Sequence, residues 1–418
     1  MIEWNETHLG IRDAMRRFIA AEVVPHLDEL EHGGKPPYDI LRKMIKTFGI
    51  ADLARTRFAR QIERQREREA GGEPAAPPAN AAPAKAPGPS PEAAMEVAMR
   101  LIPTIELCRY SPGMVTAMGV SVGLTSAAIN ARGTIRQRER WALPLMTMET
   151  IGAWAITEPG SGSDAFGGMR SSARRDGDGY LLNGSKTFIT NGPYADTIVF
   201  ICKLDEPGVA PKDRKIVSFI LDKGMPGLTQ SKPLRKMGLH GSPTGELFVG
   251  DLRAEKERLI GETEDQPARS SAKETFTMER TGVAAMALGI VEECRKLSLE
   301  YARTRVQFGK PIGEFQLIQD KLAKMEVARM NLQNLVFRQI ELAGAGKTLD
   351  LAEASACKLY AARAAMEVAL EAVQLHGGNG YMAEYRVEQL CRDAKVLQIY
   401  GGTDEIQISQ IARSLLAQ

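Results

Sequence analysis

The sequence has 418 residues, enough for two or three domains with a substantial core. Its 54 basic and 52 acidic side chains leave a net charge of +2 and are interspersed, which argues against nucleic-acid binding. The five cysteines are scattered, without a CxxC pair or a histidine at metal-ligand spacing, so we expect no metal site and a cytoplasmic protein with reduced thiols. We also expect no secretory signal and no apolar run long enough to span a membrane.

Helical periodicity dominates the first part of the chain. An amphipathic pattern predicts a helix over residues 5–30, with Asn5 as its N-cap. A second helix is predicted near 38–68. Residues 71–91 are rich in Ala, Pro and Gly, which predicts a loop that is either a surface insertion or a cover over the site mouth. Helical patterns resume from Pro91 to Met146.

The middle of the chain has the pattern of β-strands, from Ala153 to about Gly261. The segment Trp154-Ala-Ile-Thr-Glu-Pro-Gly-Ser-Gly-Ser-Asp164 starts as a short strand and breaks at Pro159-Gly160. It exposes backbone N–H groups and hydroxyls that suit a phosphate or a flat polar ring, although a plain surface turn has the same composition. Asn183-Gly184 predicts a two-residue hairpin turn.

Long helices return after about residue 270. One apolar stripe runs from Val283 to Tyr301, and two more follow in 316–343 and 350–375. This order predicts an α+β fold with three domains: helical residues 1–152, a β-domain over 153–262 and a helical bundle over 263–418. A Rossmann dinucleotide site is not expected, because the G-x-G-x-x-G spacing and the alternating βα pattern are both missing.

The Trp154–Asp164 segment and the following Leu182-Asn-Gly-Ser-Lys-Thr-Phe-Ile-Thr-Asn-Gly192 closely resemble the flavin-binding β-domain of the acyl-CoA dehydrogenase family, and the resemblance extends over nearly the whole chain. It implies a helical N-terminal domain, a central β-barrel-like domain and a C-terminal four-helix bundle. It also implies bound FAD, an acyl-CoA substrate, an electron-transferring flavoprotein as acceptor and a homo-oligomer, most often a tetramer. We expect no basic C-terminal domain like that of the DNA-associated relatives.

The position of the catalytic base departs from the usual family pattern. In Gln398-Ile-Tyr-Gly-Gly-Thr-Asp-Glu405, Gly401 occupies the place where most relatives carry a glutamate. A minority, resembling the isovaleryl-CoA and long-chain branches, place the base before an arginine on an earlier helix, as in Glu279-Arg280 here. The resemblance therefore implies that Glu279 is the base and that the Gly401 N–H binds the thioester oxygen. Alternatively, Glu279 is a surface residue or a helix-dipole partner.

The other site residues follow from the resemblance position by position. The implied flavin contacts lie in the first strand and loop, in the strand after it, after the long helix, and in two glycine-rich turns; they are Trp154, Ile156, Thr157, Ser163, Phe188, Thr190, Arg305, Gln307, Phe308, Gln316, Gln374, Gly377, Gly378, Thr403 and Glu405. The implied substrate contacts are Ser163, Arg280, Val115, Gly119, Tyr400 and Gly402. The turn at Gly377 meets the FAD of a neighbouring subunit in the family, but it also serves simply as a helix C-cap.

The resemblance also places Val115 and Gly119 on the helix that floors the acyl cavity of the family. Their small side chains would leave a long tunnel, which implies a medium-to-long or branched acyl chain, unless these residues only pack a helix. Two other functions fit the same residues. One is an oxidase that passes electrons to oxygen; the other is a flavin-binding scaffold in which Gly401 marks lost chemistry.

Overall fold

The computed structural model describes residues 3–71, 88–265 and 268–417. Helices occupy both ends of the chain and a curled sheet occupies the middle, which confirms the predicted α+β fold class. The loop predicted at 71–91 lies almost wholly outside the described residues.

The helices before the sheet are α1 (Glu6–Phe18), α2 (Leu27–Glu31), α3 (Tyr38–Thr47), α4 (Ile50–Ala70), α5 (Pro91–Cys108), α6 (Pro112–Met118), α7 (Ser126–Arg132), α8 (Ile135–Gln137) and α9 (Leu143–Met146). Asn5 caps α1 as predicted, since its side chain accepts from the His8 N–H at 2.9 Å. Both long helices predicted here are interrupted. Pro25 lies in a 3₁₀ turn before α2 and cannot donate a helical hydrogen bond, and Gly49, with φ of +63°, separates α3 from α4.

The sheet contains β1 (Gly152–Ala155), β2 (Ser172–Asp176), β3 (Gly179–Thr190), β4 (Thr197–Leu204), β5 (Ile216–Asp222), β6 (Leu228–Gln230) and β7 (Thr244–Glu255). Its order is β1-β4-β2-β3-β7-β6, with β5 on the other edge of β4. β1 and β2 pair with β4 in parallel, and the remaining pairs are antiparallel. Phe200 and Phe219 are fully buried in the core of this sheet.

The predicted hairpin turn at Asn183-Gly184 is wrong. β3 runs through these residues, and the real turn joins β2 to β3 at Asp176–Gly179. Gly184 lies at a register shift against β7 with φ of +154°, and a Cβ there would lie 2.2 Å from Ser171 Oγ. The glycine is therefore needed for a bulge and a close approach, rather than for a turn.

The C-terminal elements are α10 (Ala268–Thr304), β8 (Val306–Gln307), β9 (Lys310–Pro311), α11 (Gln316–Gly344), α12 (Leu351–His376), α13 (Val387–Lys395) and α14 (Asp404–Leu416). The predicted stripe of α10 faces inward, with Val283, Ile290 and Cys294 at most 2% exposed. These helices share one apolar core with α1, α3 and α5. The helical segments from the two ends of the chain therefore pack as one body.

Asn191, at the end of β3, joins this helical body to the sheet. Its side-chain nitrogen donates to the carbonyls of Ala117 and Gly152, both at 2.9 Å, and its oxygen accepts from the Tyr38 hydroxyl at 3.0 Å. Asn191 is fully buried, so these bonds replace its contacts with water. They fix α6 against β1, where the sheet meets the helices.

One helical stretch is long and apolar enough to cross a membrane by length and composition alone. It runs over Pro112–Arg132, in contrast to the expectation that no such run exists. Core helices of soluble proteins pass the same criterion, and Met114 and Ala117 in this stretch are fully buried in the shared core.

Candidate active site

Glu279 and Gly401 are distant in sequence but adjacent in the fold. Glu279 lies in α10, and Gly401 lies in the turn before α14. A Cβ on Gly401 would be 3.3 Å from both Cδ and Oε1 of Glu279. The two positions at which the resemblance places a catalytic base therefore meet at one point. The carboxyl group comes from the α10 side of that point.

The carboxyl group of Glu279 is largely surrounded by protein, although part of the residue remains exposed. Burial raises the pKa of Glu279 above the ordinary glutamate value, and the charges of Arg280 and Lys358 oppose this rise. A raised pKa makes the carboxylate a stronger base and suits abstraction of a weakly acidic proton. This environment differs from that of the exposed surface glutamate considered as the alternative.

The Gly401–Gly402 turn has left-handed backbone geometry, with φ of +62° and +93°. Its carbonyls accept hydrogen bonds from three buried side chains. Arg280 Nε lies 3.4 Å from the Gly401 oxygen, Gln407 Nε2 lies 3.2 Å from the same oxygen and 2.7 Å from that of Gly402, and Lys358 Nζ lies 2.7 Å from the Gly402 oxygen. The turn is thus held from α10, α12 and α14 together.

Gln407 and Lys358, which are both fully buried, were not predicted from the sequence. Lys358 could have been noticed in the sequence because it is a charged residue among the inward-facing positions of α12, which otherwise carry mostly small or apolar side chains. Arg280, predicted to contact CoA, is 6% exposed and also donates to Ser355 Oγ at 2.9 Å. Its CoA contact stays a prediction, and its partners within the chain give it a role in holding the turn.

The loop after β1 is fastened to β3, which brings the first set of predicted flavin contacts together. The Thr187 N–H donates to the Thr157 carbonyl at 3.0 Å, and Lys186 Nζ donates to the Ile156 carbonyl at 3.0 Å. Trp154 is partly buried and Ile156 is buried, whereas Ser163 is exposed in the loop. Gly160 and Gly162 border open space, so a ligand could approach the backbone closely there.

A buried ion pair that the sequence reasoning did not identify holds this loop. Lys186 Nζ lies 2.9 Å from Glu158 Oε1, and Lys186 is fully buried. The Glu158 carboxylate also accepts from the N–H groups of Arg170 and Ser171 at 2.7 and 2.9 Å. The sequence feature that indicates this pair is a lysine at an inward-facing position of a strand, because a buried lysine requires an anionic or carbonyl partner.

We expect Lys186→Met to lower the free energy of unfolding by about 3–5 kcal/mol, because it leaves the Glu158 carboxylate buried without its cation. Bound FAD should be lost in parallel, since the loop is no longer anchored. Urea unfolding and the flavin content of the purified protein measure the two effects. Lys215→Met, which breaks the exposed pair with Asp265, is the matched control and should change stability little. A Lys186→Met protein as stable as this control would contradict the assignment.

Phe188 and Thr190 have the features that a flat cofactor ring requires. Phe188 is 70% exposed with φ of +56°, at a register shift between β3 and β7. A bulge with a strained backbone that directs an aromatic ring outward is typical of a ligand site and has no use in the core. Thr190 pairs with Thr244 and keeps its side chain partly accessible. Together with the open loop beside them, these residues fit the isoalloxazine ring of FAD.

A second set of predicted flavin contacts lies at the other end of α10 and α12. Arg305, Gln307, Phe308 and Gln316 are exposed around the β8–β9 hairpin, as are Gln374, Gly377 and Gly378 at the end of α12. Tyr301 joins the two groups: its ring stacks on His376 at 4.4 Å, and its hydroxyl accepts from Asn379 at 3.1 Å. A helix rises about 1.5 Å per residue, so Arg305 lies on the order of 40 Å from Glu279. The two sets of predicted flavin contacts therefore lie far apart within one chain.

The predicted substrate residues have different surroundings. The Tyr400 hydroxyl lies 3.2 Å from Met286 Sδ and hydrogen-bonds Thr116, on the side of the turn that faces α6. Val115 is 8% exposed in the shared helical core, which agrees with the alternative that it only packs its helix. Gly119 is exposed and borders open space. At the start of α14, Thr403 caps the helix by accepting from the Ile406 N–H, and Glu405 is exposed in the first turn.

Comparison with known proteins agrees with this arrangement. The family model described as acyl-CoA dehydrogenase, middle domain, matches residues 153–252, and the one described as acyl-CoA dehydrogenase, C-terminal domain, matches residues 269–416. The short-chain specific acyl-CoA dehydrogenase of Megasphaera elsdenii is 39% identical over 311 residues, which cover 74% of this chain and 80% of that protein. The caffeyl-CoA reductase-Etf complex subunit CarC of Acetobacterium woodii is 38% identical over 288 residues, which cover 68% of this chain and 73% of that protein.

The solved structure of butyryl-CoA dehydrogenase from Megasphaera elsdenii has a TM-score of 0.81 and 32% identity, covering 100% of both chains. The matched segments include Glu279, the Gly401 turn and both sets of predicted flavin contacts. This chain therefore belongs to the acyl-CoA dehydrogenase family of FAD-dependent oxidoreductases.

Proposed function

We propose that this enzyme removes the α-proton and a β-hydride from an acyl-CoA thioester, with Glu279 as the base, to form the trans-2-enoyl-CoA. The observation that supports this assignment most strongly is the position of the Glu279 carboxyl group, whose Cδ and Oε1 lie 3.3 Å from the point where a Cβ on Gly401 would stand. A carboxylate at this point compensates for the glycine at the position of the usual base. The chemistry that Gly401 cannot perform is then supplied from α10.

Each group has a defined part in the reaction. The charged Glu279 carboxylate accepts the α-proton, and the Gly401 N–H binds the thioester oxygen, on which negative charge develops as the proton leaves. Arg280 and Gln407 hold the turn by its carbonyls, so that the N–H stays in place. Bound FAD supplies the acceptor for the hydride that leaves the β-carbon. Phe188, Thr190 and the loop after β1 would hold its ring.

We propose that two chains complete each flavin site. The distance between Glu279 and the Arg305 end of α10 supports this, because residues so far apart do not surround one cofactor in a single chain. The exposed glycine-rich turn after α12 would then meet the FAD of a neighbouring subunit in a homo-oligomer, as in a tetramer. An electron-transferring flavoprotein is the proposed acceptor, in line with the Acetobacterium woodii relative, which is named as part of an Etf complex.

The proposed substrate has a medium-to-long or branched acyl chain, on the basis of the open space beside Gly119. We expect octanoyl-CoA or isovaleryl-CoA to exceed butyryl-CoA by about tenfold or more in kcat/KM, because each added methylene gains contact in an apolar pocket. The measurement is anaerobic bleaching of the flavin by a series of thioesters. Preference for butyryl-CoA would instead agree with the short-chain name of the Megasphaera elsdenii relative and contradict this proposal.

The same experiment separates the alternative functions. A scaffold without chemistry would show no bleaching with any thioester. An oxidase would bleach and then be reoxidised rapidly when oxygen is admitted, whereas the proposed dehydrogenase should be reoxidised slowly by oxygen and rapidly by an electron-transferring flavoprotein.

A further inference from the structure

Lys358 is a buried cation beside the Gly401–Gly402 turn, and no step of the proposed reaction uses it. It lies in the first half of α12 with no exposed surface, and its Nζ donates to the Gly402 carbonyl at 2.7 Å. A fully buried lysine is unfavourable unless its charge is compensated and its protons are bound. The Gly402 carbonyl, in the turn beside Glu279, is the partner that binds these protons.

The turn requires such a partner. Two consecutive glycines have more accessible conformations than any other pair, so the left-handed geometry of Gly401 and Gly402 must be imposed by their contacts. Lys358 fixes the Gly402 carbonyl from the α12 side, and Gln407 donates to the same oxygen from α14. Loss of the Lys358 bond would leave this carbonyl to Gln407 and would loosen the turn that carries the Gly401 N–H.

The charge of Lys358 also acts on Glu279. The groups around this pair are Arg280 beside Glu279 on α10, Tyr400 in the turn, and Asp404 and Glu405 at the start of α14. Burial lowers the pKa of Lys358 to about 8, although Asp404 and Glu279 oppose this, so the side chain is cationic below that pH. A cation there favours the charged form of Glu279, which is the form that accepts a proton.

We propose that Lys358 is a positioning residue of this active site, which holds the Gly401–Gly402 turn through the Gly402 carbonyl and places a buried positive charge on the same turn that lies beside Glu279. This inference rests on the proposed function, in which Glu279 is the base. It separates two contributions of one side chain, a hydrogen bond to the turn and a positive charge beside the base.

Three variants of the FAD-loaded enzyme separate these contributions. Lys358→Met removes the hydrogen bond and the charge, and Lys358→Gln removes the charge but keeps an N–H donor, on a side chain one bond shorter. Lys324→Met, on the exposed side of α11 where the lysine pairs with Asp320, is the control. The pH profile of kcat/KM and the KM for one acyl-CoA are measured for each variant, with bound FAD as the test of correct folding.

We expect the acidic limb of the profile to move to higher pH in both Lys358 variants, so that kcat/KM on that limb falls about tenfold relative to the wild type. Lys358→Met should also raise KM above that of Lys358→Gln, and the control should match the wild type. An unmoved acidic limb in Lys358→Gln, with Glu279→Gln still inactive, would overturn the role of Lys358 and leave the proposed function intact. Turnover by Glu279→Gln would instead remove the proposed function.

Discussion

Replacing Glu279 by glutamine should lower kcat about 10²–10⁴-fold while the bound FAD is retained. The amide has nearly the same size and fills the same space beside Gly401, but it cannot accept the α-proton. Steady-state dehydrogenation with an artificial electron acceptor measures the loss, and the flavin absorbance of the purified variant measures cofactor content. In the wild type, kcat/KM should fall as the pH is lowered through the raised pKa of Glu279, because protonation removes the base.

Glu292→Gln is a matched control for this variant. Glu292 lies on the same helix, about 20 Å from Glu279 along its axis, and burial likewise raises its pKa. It faces Glu106 and Arg109 rather than the Gly401 turn. Its replacement should leave kcat near the wild-type value. An equal loss in both variants would indicate that any buried charge of α10 is needed for the fold, and the assignment of the base would fail.

Moving the carboxylate to position 401 should restore part of the activity. In Glu279→Gly/Gly401→Glu the side chain at 279 no longer occupies this space, and the new side chain starts from a Cβ position 3.3 Å from where the Glu279 carboxyl group lay, so its carboxylate reaches the same region. We expect kcat to rise at least about tenfold above that of Glu279→Gln. Recovery should be incomplete, because a non-glycine residue in the left-handed geometry of Gly401 costs about 1–2 kcal/mol.

Glu279→Gly/Gly401→Gln is the matched control for the relocation, since it has the same size and the same backbone strain without a proton acceptor. It should show no recovery. If the glutamate and glutamine versions are equally inactive while both bind FAD and acyl-CoA, a carboxylate at 401 does not reach the α-carbon. The two positions would then not be equivalent in this fold.

The local structure that could be predicted from the sequence depended on short-range contacts. Asn5 caps α1 through a hydrogen bond within one turn, and the stripe of α10 follows from helical periodicity alone. The Asn183-Gly184 prediction failed because the glycine at 184 is required by a tertiary contact: the side chain of Ser171 packs so closely that it leaves no room for a Cβ. Local turn preference was outweighed by a tertiary contact.

The same distinction applies to the active site. The pairing of Glu279 with Gly401 could be predicted from two motifs that the family resemblance connects. Lys358, Gln407 and the Glu158–Lys186 pair could not, because each acts through a backbone carbonyl or a buried charge brought close only by folding. These supporting residues belong to no sequence motif. Only the charged ones, Lys358 and the Glu158–Lys186 pair, can be suspected from the sequence, because their charges lie among apolar neighbours.

The most direct test of the central claim is the anaerobic single-turnover reduction of the bound flavin by acyl-CoA in Glu279→Gln. Since flavin reduction requires removal of the α-proton, the wild-type flavin should bleach and the variant flavin should remain oxidised over the same period, with acyl-CoA still bound. Bleaching of the variant at the wild-type rate would show that another group abstracts the proton and would contradict the assignment of Glu279 as the base.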